Sequence, residues 1–163
     1  MMPGQFQIER QEQSEWCWAA VAASIDNYFN PKSPRTQCKI ASLVIGQDCC
    51  DEADCNQLET LIDALKDIHY LSRTIVGTVS FEEIQKEINR RRPVCARIEW
   101  TGGGAHFVVI SGYEVLPSGA RHVYIDDPFN TPSIVDYDEF KTAYCGDGEW
   151  KDTYLVRQNL NNW

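Results

Sequence analysis

The sequence predicts an α+β fold, with helices in its first half and an antiparallel sheet in its second. Three observations predict it. Up to residue 91, apolar side chains recur at i, i+3 and i+4, the period of one helix face. After Pro93 the pattern becomes short β-branched and aromatic runs punctuated by Gly, Pro and Asn. The two patterns do not alternate along the chain, which argues against βαβ units and a parallel sheet.

The elements follow in order. Residues 16–29 place Trp18, Val21, Ala22, Ile25 and Phe29 on one helical stripe, and Pro31 and Pro34 stop it. Residues 36–45 and 56–68 repeat the pattern, the second with Leu58, Leu61, Ile62, Leu65 and Ile68 as its stripe. Ser80 followed by Glu83 is a capping box that opens a short helix through Arg91. Strands are expected at residues 94–100, 105–115, 121–126, 133–137 and 152–156, with Leu116-Pro117-Ser118-Gly119 as a hairpin loop. Their order predicts a meander.

A length of 163 residues with 43% hydrophobic and 24% charged side chains predicts a single globular domain over residues 1–163 and excludes collagen-like and wholly disordered chains. The net charge of −9 repels phosphate backbones, so nucleic acid is not an expected partner. No run approaches the ~18 apolar residues of a membrane span, so no membrane partner is expected either. The first residues lack a basic segment followed by an apolar one, and no secretory signal is seen.

Seven cysteines leave at least one thiol free however the others pair. Cys38, Cys49, Cys50 and Cys55 cluster, but their spacing lacks the two C-x2–4-C pairs of a zinc site. The neighbours Cys49 and Cys50 point different ways in most backbone conformations. Two disulfides are therefore expected, Cys38 with one neighbour and Cys55 with the other, each worth on the order of 2 to 4 kcal/mol. Four reduced thiols, or a zinc-stabilised binding module without catalysis, are the competing readings. No HExxH, P-loop or calcium loop is present, residues 51–54 lacking the required spacing, and no metal or cofactor is expected.

Cys17 falls at the start of the first helix, where the macrodipole and unpaired N–H groups favour a thiolate. The bland alternative is a small residue packed between Trp16 and Trp18. His106 follows Gly102-Gly103-Gly104-Ala105 and begins an apolar strand, placed to aim its ring into a cleft at the sheet end, where imidazole suits proton transfer. Folding the hairpin about residues 116–119 sets Asp127 opposite Val108 and diagonal to His106. Pro128 keeps Asp127 extended. A one-residue slip selects Asp126 instead, and both acids could also be solvated turn residues. His69 and His122 show no partner spacing.

Gln11-x5-Cys17-Trp18-Ala19, then Gly104-x-His106-x-Val108-Val109-Ile110-x-Gly112-Tyr113, then Asp127-Pro128, resembles the papain-like cysteine peptidases. It is most similar to the bacterial branch holding the plant-pathogen avirulence proteases and the bacteriocin-leader-processing peptidases. The resemblance implies a papain-like fold and a cysteine endopeptidase acting on a protein through a thioester. Cys17 would be the nucleophile, His106 the general base, Asp127 the acid orienting the ring, and Gln11 the side-chain donor of the oxyanion hole. Gln13 competes for that last role at a spacing two residues shorter. Peptidoglycan amidase, glutamine deamidase and transglutaminase use the same chemistry and stay open. The resemblance also implies an exported effector or toxin, a dedicated secretion route, and an inhibitor or immunity protein as partner.

Overall fold

Ten consecutive side chains, Cys17 to Asp26, are buried in the first helix, α1 (Cys17–Phe29). It is therefore the central helix of the fold rather than the one-faced helix its apolar stripe suggests. Small residues make this arrangement feasible. Ala19, Ala20 and Ala23 leave room on the face away from the stripe, and Ser24 Oγ accepts the N–H of Glu9 at 2.8 Å from the segment crossing there. The computed structural model describes residues 6–51 and 54–159. Glu52 and Ala53, part of the run dismissed as a calcium loop, lie outside the described residues.

Two short helices complete the helical half. α2 (Gln37–Ile45) is capped by Thr36, which accepts from Lys39 N–H. α3 (Leu61–Asp67) is capped by Thr60, which accepts from Asp63 N–H. The helix expected from residue 56 thus starts later. The carbonyls of Cys55 and Gln57 accept the indole N–H groups of Trp16 and Trp18 at 2.8 and 3.0 Å, which holds residues 55–57 as an extended brace. Disulfides Cys38–Cys50 and Cys49–Cys55 tie the α2–α3 connection. They leave none of these four sulfurs as a thiolate for zinc.

The other half is a six-stranded antiparallel sheet in the order β1-β6-β2-β3-β4-β5, built from β1 (Leu71–Val76), β2 (Val94–Glu99), β3 (Ala105–Val115), β4 (Arg121–Asp126), β5 (Ser133–Asp136) and β6 (Glu149–Val156). It is not a plain meander, because β6 inserts between β1 and β2. β1 was not expected from the sequence. It is a half-exposed edge strand whose alternation is broken by a register shift between Leu71 and Arg73. The strand expected over residues 133–137 ends at Asp136, which caps α5 (Tyr137–Ala143) by accepting from Glu139 N–H. α4 (Phe81–Asn89) begins at the expected cap, Ser80. One buried cluster runs from Trp18 and Ile25 of α1 through Val108 and Ile110 of β3 to Tyr154 of β6. This α+β arrangement, with a helix leading into an antiparallel sheet, is consistent with the papain-like fold.

Candidate active site

Cys17 is the first residue of α1. The N–H groups of a helix's first turn have no intrahelical acceptor. Here no side chain caps the start, and the first turn carries no acidic residue. The Cys17 sulfur and its own N–H therefore sit at an uncompensated positive helix end. Trp16 and Trp18 are both buried, and their indoles fasten the helix start to residues 55 and 57.

His106 is the second residue of β3, across from Ile98 of β2. Asp127 follows the last residue of β4. Near the hairpin loop the strands pair Tyr113 with Val123, and past an irregularity at Ser111 they pair Val109 with Asp126. That bulge shifts the register by one residue. In the half next to the site, continuing it sets Asp127 opposite Val108, as the sequence suggested; at the loop it does not hold. His106 Nε2 lies 2.7 Å from Asp127 Oδ1. The Cys17 sulfur is near enough to the ring to favour its protonated form, and Nδ1 is the nitrogen that Asp127 leaves free. Asp126 takes a hydrogen bond from Ser111 at the bulge instead.

Asp127 is fully buried, yet no part of its carboxylate is unsatisfied. Oδ1 also accepts the N–H groups of Phe129 and Asn130, and Oδ2 accepts the Tyr144 hydroxyl and Asn130 Nδ2. Burial alone would raise its pKa, but His106, Tyr144 and the Phe129 N–H outweigh burial and hold it well below the usual carboxylate range. For His106, burial works against the imidazolium. The Asp127 carboxylate and the Cys17 sulfur outweigh it and raise the imidazole pKa to about 9. Trp100 stacks on His106 with centroids 6.0 Å apart. The preceding glycine loop takes positive φ at Gly103 and Gly104, which suits residues without a Cβ.

Gln11 lines the same cleft, of about 390 Å³, together with Cys17, Trp100, His106 and Phe129. Its amide nitrogen donates to the Ser14 carbonyl at 2.7 Å and the Gln13 carbonyl at 3.1 Å, while its buried Oε1 has no hydrogen-bond partner. Both amide hydrogens are thus committed, and Gln11 meets a developing oxyanion only by releasing one. The Gln13 side chain is exposed, and only its carbonyl takes part.

Tyr144, Trp100 and Asn130 escaped the sequence reading. Asn130 had a readable signal, since Asp-x-x-Asn around a proline is turn chemistry in which side chains bond nearby N–H groups. Tyr144 lies seventeen positions from Asp127, just past the end of a helix that was not expected, and nothing local marks it. Burial pushes Cys95 to about 12, and Cys145 is exposed in a turn. No helix among the described residues is long and apolar enough to cross a membrane. No curated protein matches the chain. The family described as papain-like cysteine protease AvrRpt2 matches it over residues 1–144.

Proposed function

The chain belongs to the papain-like cysteine protease family AvrRpt2, a family of hydrolases, and from that premise we propose that residues 1–163 form one endopeptidase domain cleaving a protein through Cys17, His106 and Asp127. The observation that carries this reading is the buried Asp127 carboxylate 2.7 Å from His106 Nε2, in a ring whose protonated form the nearby Cys17 sulfur also favours. An imidazole raised to about 9 by these two neighbours is protonated near neutral pH. It therefore stands beside the sulfur as a cation, the pairing that makes a thiol nucleophilic.

The reaction runs in two halves. The Cys17 sulfur attacks the peptide carbonyl, and the oxyanion that forms is met by the Cys17 N–H and by a Gln11 amide hydrogen drawn from the Gln13 carbonyl, its longer contact. His106 gives its proton to the departing amine, leaving an acyl thioester on Cys17. A water then loses a proton to His106 and attacks the thioester, and the sulfur departs as the acid product leaves. Asp127 keeps the ring turned with Nε2 towards itself throughout.

A polymeric substrate suits the surroundings. A second cavity of about 500 Å³ adjoins the cleft, shares Leu58 and Ala105 with it, and is walled by Ile62, Ile75, Phe107 and Tyr154. Space for a neighbouring apolar side chain supports a protein substrate over a lone amide. We also read the chain as an exported effector or toxin held in check by an immunity-type inhibitor. The two disulfides support passage through an oxidising compartment.

Sequencing of new N-termini in a cell extract treated with wild type or Cys17→Ala tests the reaction. Peptide N-termini that appear only with wild type are expected. Ammonia release or isopeptide formation without new N-termini would instead assign deamidase or transglutaminase chemistry.

A further inference from the structure

We propose that Tyr144 is a positioning residue of this site, which clamps the Asp127 carboxylate so that Oδ1 faces His106; the proposal rests on the catalytic reading of Cys17, His106 and Asp127. Asp127 accepts five hydrogen bonds. Those from Phe129 N–H, Asn130 N–H and Asn130 Nδ2 come from its own turn, at 2.8, 3.1 and 3.1 Å. They hold the carboxylate to its own turn. Besides His106 itself, the remaining donor is the Tyr144 hydroxyl, 2.6 Å from Oδ2 and contributed by the segment after α5.

Tyr144 is itself tightly held. Its N–H donates to the Gly148 carbonyl at 2.8 Å, and the Gly148 N–H donates back at 2.7 Å. Its ring packs edge-on against Phe140 and stacks on Trp100, whose other neighbour in the stack is His106. The turn approaches β2 so closely that a Cβ on Gly148 would lie 2.5 Å from Ile98 Cγ2 and 2.8 Å from Trp100 Cζ3. Trp100 thus neighbours both rings, while the Tyr144 hydroxyl and the His106 Nε2 meet the two oxygens of one carboxylate. Burial and the Asp127 carboxylate push the Tyr144 phenol far above its ordinary value, so it stays a donor at every working pH.

The titratable and charged groups around the pair are Cys17 of α1, Tyr144 and Cys145 after α5, Arg10, whose guanidinium holds the Phe129 and Asn130 carbonyls, and Glu15 on the cleft wall. Asp126 faces Ser111 instead. Without the Tyr144 hydroxyl the carboxylate keeps only the donors of its own turn beside His106, and its bond to His106 loosens.

The test is the rate of Cys17 alkylation by iodoacetate, whose carboxylate is drawn to the protonated His106, across pH, in the full chain with its disulfides intact. In wild type a reactive plateau should end on the alkaline side as His106 loses its proton. Tyr144→Phe keeps the ring packing and should move that alkaline limb down by about one pH unit (a tenfold change in the proton equilibrium). Placing 4-aminophenylalanine at position 144 restores a donor and should move the limb back. In an Asp127→Asn background, Tyr144→Phe should have no further effect. A limb that stays in place or rises in Tyr144→Phe, or an unchanged additional effect beside Asp127→Asn, overturns the proposal while leaving the catalytic reading intact. A wild-type profile without an alkaline limb overturns both. Should Tyr144→Phe melt too low to assay, the 4-aminophenylalanine variant in wild-type and Asp127→Asn backgrounds decides it. Matching wild type in the first and adding nothing in the second supports the clamp, and any other pattern overturns it.

Discussion

At the scale of single residues, His106 and Asp127 are held in opposite charge states by each other, and that has a sign in the pH dependence of stability. The folded pKa of His106 is raised to about 9, above the ~6.5 of an unfolded imidazole. Its contribution is therefore fully present below about pH 6.5 and is lost as pH rises through about 9. Asp127 is shifted the other way, so its contribution is present above the ordinary carboxylate range and fades only in strong acid. The melting-temperature gap between wild type and His106→Gln should thus be widest near pH 6 and narrow towards pH 10. A gap constant over that interval would mean the ion pair adds nothing to stability. Gln11→Ala should lower turnover about 10² to 10³-fold, as for one lost oxyanion donor, while Gln13→Ala should be near neutral because only its backbone is used. Steady-state kinetics of the two variants against one peptide separates them. Cys17 and His106 were legible because a helix start and a strand start each have local signatures. Asp127 was legible only through a hairpin count, and the count was right at the site because the Ser111 bulge corrects the register that the loop sets.

The elements that brace the site were less legible. The indoles of Trp16 and Trp18 donate to the carbonyls of Cys55 and Gln57, while Asn56 accepts the Glu15 N–H at 2.8 Å and donates to Ser14 Oγ at 2.9 Å. The residues between Gln11 and Cys17 are thus strapped to a three-residue segment that Cys49–Cys55 anchors. None of this has a periodicity to read, since it depends on side chains meeting across some forty positions. α5 did carry a signal, Asp136 with Glu139 three residues on, but the strand pattern of residues 133–137 masked it. β1 hid because an exposed edge strand with a register shift does not alternate. The paired cysteines were readable from adjacency alone, up to the choice of partner. Closing loops with separations of 12 and 6 residues should contribute about 2 to 3 kcal/mol each. Cys49→Ser/Cys55→Ser should therefore lower the melting temperature by about 5 to 10 °C. It should also slow Cys17 alkylation at temperatures where the fold is intact, because the brace loosens. Cys38→Ser/Cys50→Ser should lose stability with a smaller effect on the thiol. Equal effects of both pairs on alkylation would remove the brace from the account.

On the scale of the whole molecule, the helical half supplies the sulfur and the sheet half supplies the imidazole and the carboxylate. Their meeting depends on how the halves are joined. At the cleft the join is polar. Gln11 N–H donates to the Pro128 carbonyl at 3.0 Å, and Arg10 bonds the carbonyls of Phe129 and Asn130. Beneath it the join is apolar, since Trp18, Val21 and Ile25 of α1 share one buried cluster with Val108 and Ile110 of β3. Fully burying an aliphatic or aromatic side chain is worth about 1.5 to 3 kcal/mol, against about 0.5 to 1.5 kcal/mol net for a hydrogen bond. The shared cluster therefore outweighs the polar ties, and the halves should not part before the molecule unfolds. The helices-then-strands order of the sequence does not say how the two halves are joined; the full burial of α1 joins them. In urea, at fixed pH and with disulfides intact, the selective reactivity of Cys17 and the far-UV ellipticity should be lost at one shared midpoint, as for a two-state domain. Arg10→Ala should cut Cys17 selectivity at zero urea while leaving the two midpoints together. Reactivity lost at a clearly lower urea concentration than ellipticity would mean that the halves separate first and that the polar ties at the cleft, not the shared core, set the geometry of the site.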